Sequence, residues 1–332
     1  MTGSSERMRF LRIGESTNAE SRFGPADRPC VLAFGNFDGL HAGHRAIIGL
    51  LRAEASRLGG LGVTLVTFEP HPLTLLRPEM APAAIEPLAV RLRRMAGLGV
   101  GNVVVLGFDE ALRATSANEF GAMLFDTLGA RTVVVSADSR FGAGGAGNAA
   151  TLQGLAAVRG AHVLQIPAIC RGGRPVSSSR VRRAVEQGEI VLAAALLERP
   201  YCLHGEVVPG DRRGRELGFP TANLAVGGQV RPAAGVYAGW LEVDGTMRAA
   251  VANVGVRPTV DGQQWRVEAH ALGWSGDLYG KGVALHLTAR LRDEERFAGL
   301  DALRAAIASD AVRAEGILAG QHARGQCPAP AP

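Results

Sequence analysis

The sequence predicts a doubly wound α/β domain followed by a small antiparallel β barrel with a helix at its end. Three observations predict it. Before Arg199-Pro200, short β-branched runs alternate with helix-length stretches, the pattern of a parallel sheet with helices on both faces. After that point, shorter strands follow one another with Gly and Pro between them, as in a small closed antiparallel sheet. The 332 residues, 47% of them hydrophobic, suffice for about two domains with their own cores.

The strands expected in the first half are Val31–Phe34, Val63–Phe68, Val103–Phe108, Thr132–Ser136 and His162–Ile166. Helix-like segments lie between them at His44–Leu58, Pro87–Leu98 and Asn118–Leu128. Ligands of such folds sit outside the carboxyl ends of the strands. Val181–Leu197 reads as one helix ending in the apolar run IVLAAALL. Beyond it come strands at Leu203–Val208, Gly235–Val243, Met247–Asn253, Trp265–Leu272 and Val283–Ala289, then a helix at Leu300–Ala308. The change of pattern puts a boundary near residues 188–200, giving domains 1–187 and 188–332. The Gly-rich stretch Gly142–Gly147 is too short for a linker and falls inside the first domain.

Charged residues make up 20% of the chain and the net charge is +5, with arginine the dominant cation. The guanidinium fork suits phosphate ligands, although a high-GC coding bias toward Arg and Ala explains the excess equally well. No basic stretch is interleaved with aromatics, so nucleic acid is not an expected partner. Cys30, Cys170, Cys202 and Cys327 show no CxxC pairing and no zinc-ligand spacing, as expected of free thiols in a reducing compartment. The N-terminal stretch has no apolar signal core, and no segment approaches the roughly 20 apolar residues that span a bilayer. A cytoplasmic protein without membrane contact is expected, with a disordered tail at QCPAPAP.

The first chemical centre is GNFDGLHAGH, Gly35–His44, directly after an expected strand. His41 and His44, three residues apart at a helix start, share one side of the first turn. A helix N-terminus offers free N–H groups and positive partial charge to a phosphate, and two imidazoles there can stabilise charge developing on phosphorus. The competing reading is a surface turn with incidental histidines. TFEPHP, Thr67–Pro72, adds a rigid turn at the same sheet edge, where His71 is either structural or functional. VSSSRVR, Val176–Arg182, offers Ser177 and Ser178 as helix caps and Arg182 one turn in, which is a phosphate clamp or an ordinary cap with a solvated arginine.

The stretch Gly35–His44 is similar to the HxGH signature of nucleotidyltransferases. With TFEPHP, ADSRFG and VSSSRVR in this order, the chain resembles bacterial FAD synthetases. The resemblance implies that His41, His44, Ser177, Ser178 and Arg182 handle ATP, with Asn36 and Asp38 in the same loop. It also implies that Asp138 and Phe141 lie at the flavin and nucleotide pocket, and that FMN is adenylylated with magnesium.

The second centre is GEVVPGDRRGRELGFPTANL, Gly205–Leu224. Glycines including Gly205 and Gly210 allow close approach to phosphate, and three arginines supply charge. Thr221 and Asn223 offer neutral oxygens to magnesium on nucleotide phosphates. The full string resembles the riboflavin kinase signature, and GVYAGWLEV, ANVGVRPTV, VEAH and GDLYGK follow in family order. By that resemblance Glu268 deprotonates the ribityl 5′-hydroxyl, and Arg292 in LRDEERF contacts the flavin. Alternation on a strand sets Glu268 and His270 on one face. Together the motifs imply a bifunctional riboflavin kinase/FMN adenylyltransferase. It would use riboflavin, FMN and ATP with Mg2+ and release FMN and FAD.

The sequence departs from the family at VSADSRFGAGGAGN, Val135–Asn148. A family glycine is Ser136 and an aromatic is Ser139. The loop lacks basic residues, and Asn148 replaces an acidic residue. In the kinase half Gly273-Trp274 replaces Asp-Phe. These changes keep open a riboflavin kinase with a weakened adenylyltransferase, and a non-enzymatic flavin-binding regulator as a second alternative.

Overall fold

The computed structural model describes residues 8–13, 29–210, 218–259 and 262–323. Arg212, Arg213 and Arg215, Val260 and the QCPAPAP tail lie outside the described residues. In the first unit (Met1–Pro82 and Leu88–Val176), the strands are β1 (Arg9–Ile13), β2 (Cys30–Phe34), β3 (Gly62–Phe68), β4 (Asn102–Leu106), β5 (Ala130–Ser136) and β6 (His162–Ile166). They form one parallel sheet in the order β1-β4-β3-β2-β5-β6. The chain winds outward from β2 to β4 on one side and returns to β5 and β6 on the other. The direction of winding therefore switches beside β2, where such sheets open a crevice for ligands.

Alternation along the strands makes two cores. Val31, Ala33, Leu65, Val103 and Val105 face Ile48 and Leu51 of α1 (Ala42–Arg57) and Met95 of α2 (Leu88–Gly97). Leu32, Val66, Val104, Val133 and Val135 face Phe120, Leu124 and Leu152. Those partners belong to α3 (Ala117–Ala122), the π-helical turn Met123–Thr127 that continues it, and α4 (Ala149–Ala157). The expected helix Asn118–Leu128 thus starts in a Ser116/Glu119 capping box and ends in a wider turn. Asn148 serves α4 as its N-cap, accepting the Thr151 N–H at 3.0 Å.

The second unit comprises Ala83–Pro87 and Ser177–Pro332. The stretch expected to be one helix is two: α5 (Ser178–Glu186) and α6 (Ile190–Leu197). The chain breaks at Gly188, φ 72°, where Gly188 N–H bonds Val185 O and Glu189 N–H bonds Ala184 O, the double bond pattern of a glycine-ended helix. The strands β7 (Tyr201–Val208), β8 (Ala222–Ala225), β9 (Gly235–Val243), β10 (Thr246–Thr259), β11 (Gly262–Ala271) and β12 (Gly282–Arg292) close into a barrel in the order β8-β11-β10-β9-β12-β7. The terminal helix α7 (Leu300–Ala323) runs well past its expected end and packs Ala314 and Leu318 on Val236, Ala238 and Trp240. Ala83–Pro87 joins this unit through main-chain bonds of Ala84 to Gly228 and Val230. The buried Gln229 side chain bridges Ile85 O and Cys202 O, and a 2.6 Å ion pair joins Glu86 to Arg199.

Candidate active sites

In the first unit β2 ends at the switch point, and its next residues turn sharply. Phe37 (φ 48°), Gly39 (φ 78°) and Leu40 (φ 41°) take left-handed conformations before α1 begins. Phe37 and Leu40 are buried, which anchors the turn. Asn36 sits at the head of this loop. Its carbonyl accepts from Thr67 Oγ1 at 3.0 Å and from the Arg91 guanidinium at 2.8 Å, and its carboxamide lies 2.9 Å from His71 Nε2. Asp38 is buried in the turn.

His41 caps α1. Its Nδ1 accepts the His44 backbone N–H at 3.4 Å, so in the neutral ring Nε2 carries the proton. The two imidazoles stack with centroids 3.7 Å apart and planes 15° from parallel. Loss of solvent, then the neighbouring His41 and Arg91, hold His44 well below its ordinary pKa of 6.5. With His44 neutral, the pair at the helix N-terminus can meet a phosphate without two adjacent imidazolium charges opposing each other.

Asp138 is exposed at the apex of the turn after β5. Phe141 follows in the same loop. It is 6% exposed, with its ring packed between Phe34 and Phe120, so it anchors the loop in the core. Ser136 and Ser139 bond each other: Ser139 Oγ accepts the Ser136 N–H at 3.1 Å and lies 2.9 Å from Ser136 Oγ.

In the second unit Ser177 caps α5 by accepting the Arg180 N–H at 3.2 Å. Ser178 is the first residue of that helix. Arg182 is buried one turn in, and its Nε donates to Ala83 O at 2.8 Å. These three residues belong to the second unit, whereas His41 and His44 belong to the first.

The barrel carries the other centre. Asn223 on β8, Glu268 on β11 and Asn253 on β10 stand side by side across three paired strands. They line a cavity of about 860 Å³ together with Thr221, His270 and Arg292. Arg266 donates to Glu268 Oε1 at 2.6 Å. His270 Nδ1 donates to Pro220 O at 2.7 Å and its ring meets Phe219 edge-on, which fixes the turn before Thr221. A smaller cavity of about 200 Å³, walled by Trp274 and Tyr279, shares Thr221 with the larger one. Thr221 therefore lines both cavities.

The two glycines read as phosphate approaches have other partners. A Cβ at Gly205 would lie 2.6 Å from Ala225 O of the paired strand, and one at Gly210 would lie 2.1 Å from Asn223 Nδ2. Gly205 lets β7 and β8 pair closely, and Gly210 leaves room for the Asn223 side chain. Arg292 lines the cavity, but its guanidinium is taken up by Asp310 at 2.8–3.2 Å and sits over Phe297. Thr221 and Asn223 offer neutral hard oxygens of the kind that would suit a magnesium ion already carried by nucleotide phosphates. Among the described residues no cluster of three His, Cys, Asp or Glu could hold a metal on its own.

Sequence reasoning did not single out Asn253, Arg266 or Arg91. Arg91 carried a signal: a cation inside the apolar stripe Leu88, Leu92, Met95. No helix among the described residues is long and apolar enough to cross a membrane.

Two family models match the chain, one described as FAD synthetase over residues 24–180 and one as riboflavin kinase over residues 197–318. The bifunctional riboflavin kinase/FMN adenylyltransferase of Escherichia coli K12 is 41% identical over 289 residues, covering 86% of this chain and 91% of that one. That of Pseudomonas fluorescens is 39% identical over 297 residues, covering 89% and 95%. A crystal structure from Streptococcus pneumoniae, titled a macrolide-efflux protein, superposes with a TM-score of 0.82 at 30% identity, covering 90% of this chain and 97% of that one.

Proposed function

The chain belongs to the bifunctional riboflavin kinase/FMN adenylyltransferase family, and from that premise we propose how its residues divide the two reactions. The enzyme phosphorylates riboflavin to FMN with ATP, then transfers AMP from ATP to FMN, giving FAD and pyrophosphate. By this reading the adenylyl-transfer residues lie before residue 188 and the kinase residues after it, and the protein works in the cytoplasm.

In the kinase half, Glu268 accepts the proton of the ribityl 5′-hydroxyl as that oxygen attacks the γ-phosphorus of ATP and the bond to the β,γ-bridging oxygen breaks, releasing ADP. The observation that carries this assignment is the row Asn223–Glu268–Asn253 facing the larger cavity beside Thr221. Magnesium brought with ATP would be held by the Thr221 and Asn223 oxygens and would offset charge on the transferring phosphoryl group. Arg266 holds the Glu268 carboxylate in place. Arg292, tied to Asp310, forms a wall of the flavin pocket, and Gly205 and Gly210 shape the ATP side.

In the adenylyltransferase half, an FMN phosphate oxygen attacks the α-phosphorus of ATP and pyrophosphate leaves. His41 and His44 donate to the phosphates at the α1 N-terminus, Asn36 and Asp38 shape the loop, and Ser177, Ser178 and Arg182 bind the nucleotide. Asp138 reaches the flavin side.

The test is one time course: purified protein with riboflavin and Mg-ATP, with FMN and FAD resolved. FMN should rise first and FAD follow. The Ser136–Ser139 pair, standing where the family has a glycine and an aromatic, favours one second reading, a kinase with a weakened or inactive adenylyltransferase domain. Accumulation of FMN with no FAD at saturating FMN would choose it.

A further inference from the structure

Arg91 is a buried cation that none of the assignments above uses. It lies on α2 with its side chain 7% exposed, in a stripe otherwise filled by Leu88, Leu92 and Met95. A guanidinium in such a place is disfavoured against an apolar residue of similar size unless it is paired. Its partners are telling. NH1 donates to Asn36 O at 2.8 Å and NH2 to Glu69 Oε2 at 3.1 Å, while Nε is buried with no partner among the described residues. Asn36 follows the end of β2 and Glu69 follows the end of β3. One side chain therefore ties together the carboxyl ends of two neighbouring strands, at the edge where the histidine loop begins.

That loop needs external support. Phe37 and Leu40 are non-glycine residues at positive φ, a conformation that persists only where the surroundings over-determine it. Thr67 and Arg91 both donate to the carbonyl of Asn36, the residue just before the strained turn. Phe37 in turn packs against His44, with ring centroids 5.1 Å apart.

We propose that Arg91 is a positioning residue of the adenylyltransferase: by pinning the Asn36 carbonyl it holds the strained turn so that His41 and His44 meet the nucleotide phosphates. This rests on the reading of His41 and His44 given above. Arg91 acts through the loop and does not touch substrate. It also acts through charge. The charged or titratable groups facing His44 are His41, stacked on it, and Arg91, whose own counter-ion is the partly exposed Glu69. Arg91 thereby helps keep His44 neutral.

The test uses full-length Arg91→Met, Arg91→Lys and Thr67→Val, each assayed for FAD from FMN and ATP and for FMN from riboflavin. Arg91→Met should lower the adenylyl-transfer kcat by about 10²-fold, the usual effect of a 1 Å misplacement, and leave riboflavin phosphorylation unchanged. Its acid limb of kcat against pH should also move to higher pH, because removing a cation lets His44 take up a proton more readily. Arg91→Lys keeps the charge and loses the fork, so its rate should fall while the limb stays. Thr67→Val should do the same. A merely structural role would lower the rate without moving the limb in Arg91→Met. Wild-type adenylyl transfer in Arg91→Met, or an unmoved limb in that variant, overturns the proposal. If Arg91→Met is insoluble, an undiminished rate in Arg91→Lys overturns it. His44→Ala separates the two layers: full FAD synthesis there removes the reading of the site, whereas its loss beside an indifferent Arg91 removes only the proposal.

Discussion

Gly210→Ala tests whether the Asn223 carboxamide works from a fixed position. The added Cβ would lie 2.1 Å from Nδ2, 2.5 Å from Cγ and 2.8 Å from Oδ1 of Asn223. Restoring an ordinary contact of about 3.5 Å requires the amide to retreat by about 1.4 Å. Gly210 is not among the positive-φ residues, so alanine adds no backbone strain there. Asn223 cannot yield through its main chain, because β8 is paired on both sides, to Val208 of β7 and to Glu268 of β11. Its side chain must swing out of register with Glu268. A displacement above 1 Å should lower riboflavin kinase kcat by about 10²-fold, with FAD formation from supplied FMN untouched. Gly205→Ala is the contrast. Its Cβ would stand 2.6 Å from a backbone carbonyl, Ala225 O, which has no rotamer to change. That variant should lose about 1–3 kcal/mol of stability, read as a lower melting temperature, before it loses turnover per folded molecule. Full kinase turnover in Gly210→Ala would refute the claim that Asn223 acts from this position. An unchanged melting temperature in Gly205→Ala would refute the strand-pairing account.

Glu268→Gln should lower riboflavin phosphorylation by about 10²–10⁴ while sparing FAD synthesis from FMN; near-normal kinase turnover removes Glu268 as the base. His41→Ala with His44→Ala should give the mirror result in a product assay, FMN accumulating without FAD, and FAD at the wild-type rate would dismiss both histidines. The depressed His44 also makes a stability prediction. A histidine kept neutral in the fold contributes fully above its unfolded pKa near 6.5, and the contribution is lost as pH falls below that toward the folded value. Thermal unfolding followed from about pH 7.5 to about pH 5 should therefore show a decline that His44→Gln lessens, and parallel profiles would exclude His44 as its source.

Much of the fold was legible because local pattern and tertiary structure agree. Four of the five apolar runs of the first half are strands buried between helices on both faces, which demands continuous apolar residues, whereas His162–Ile166 is an edge strand only partly covered. The histidine loop falls at the switch point because β2 is the strand from which winding starts. What escaped had a non-local cause. RFLRI, Arg9–Ile13, has no strong strand signal and is fixed by parallel pairing to β4, far along the chain. Ala83–Pro87 carries no local pattern that ties it to the second half, yet its bonds go to Gly228, Gln229 and Val230. The two-helix break at Gly188 was written in the sequence and outweighed by the apolar run beyond it. Phe141, mostly buried among Phe34 and Phe120, shows what a motif leaves open. A motif marks where the chain must pass, and only packing shows whether a side chain there faces ligand or core.

The same distinction governs Ser136 and Ser139. Read separately, Ser139 is a lost aromatic, and restoring it as Ser139→Phe should recover ring packing of roughly 1–3 kcal/mol toward FMN. The structure couples the two positions. Ser139 N–H closes the turn onto Ser136 O at 3.1 Å, and Ser139 Oγ holds both the N–H and the hydroxyl of Ser136. Phenylalanine would abolish two bonds, each worth about 0.5–1.5 kcal/mol net, and loosen the turn that must present the ring. Gain and loss are of the same size, so Ser139→Phe alone should change the FMN KM by less than about threefold. Ser136→Gly removes the stranded hydroxyl and restores the family's glycine. The double variant should then lower the FMN KM by about tenfold, with the kinase half unchanged. The cycle of two single variants and the double should show a coupling of about 1 kcal/mol, against roughly 0.5 kcal/mol or less for independent sites. An additive cycle, or the whole gain from Ser139→Phe alone, would mean that the serine pair does not hold the turn. The segment would then bind FMN through residues whose geometry does not depend on it.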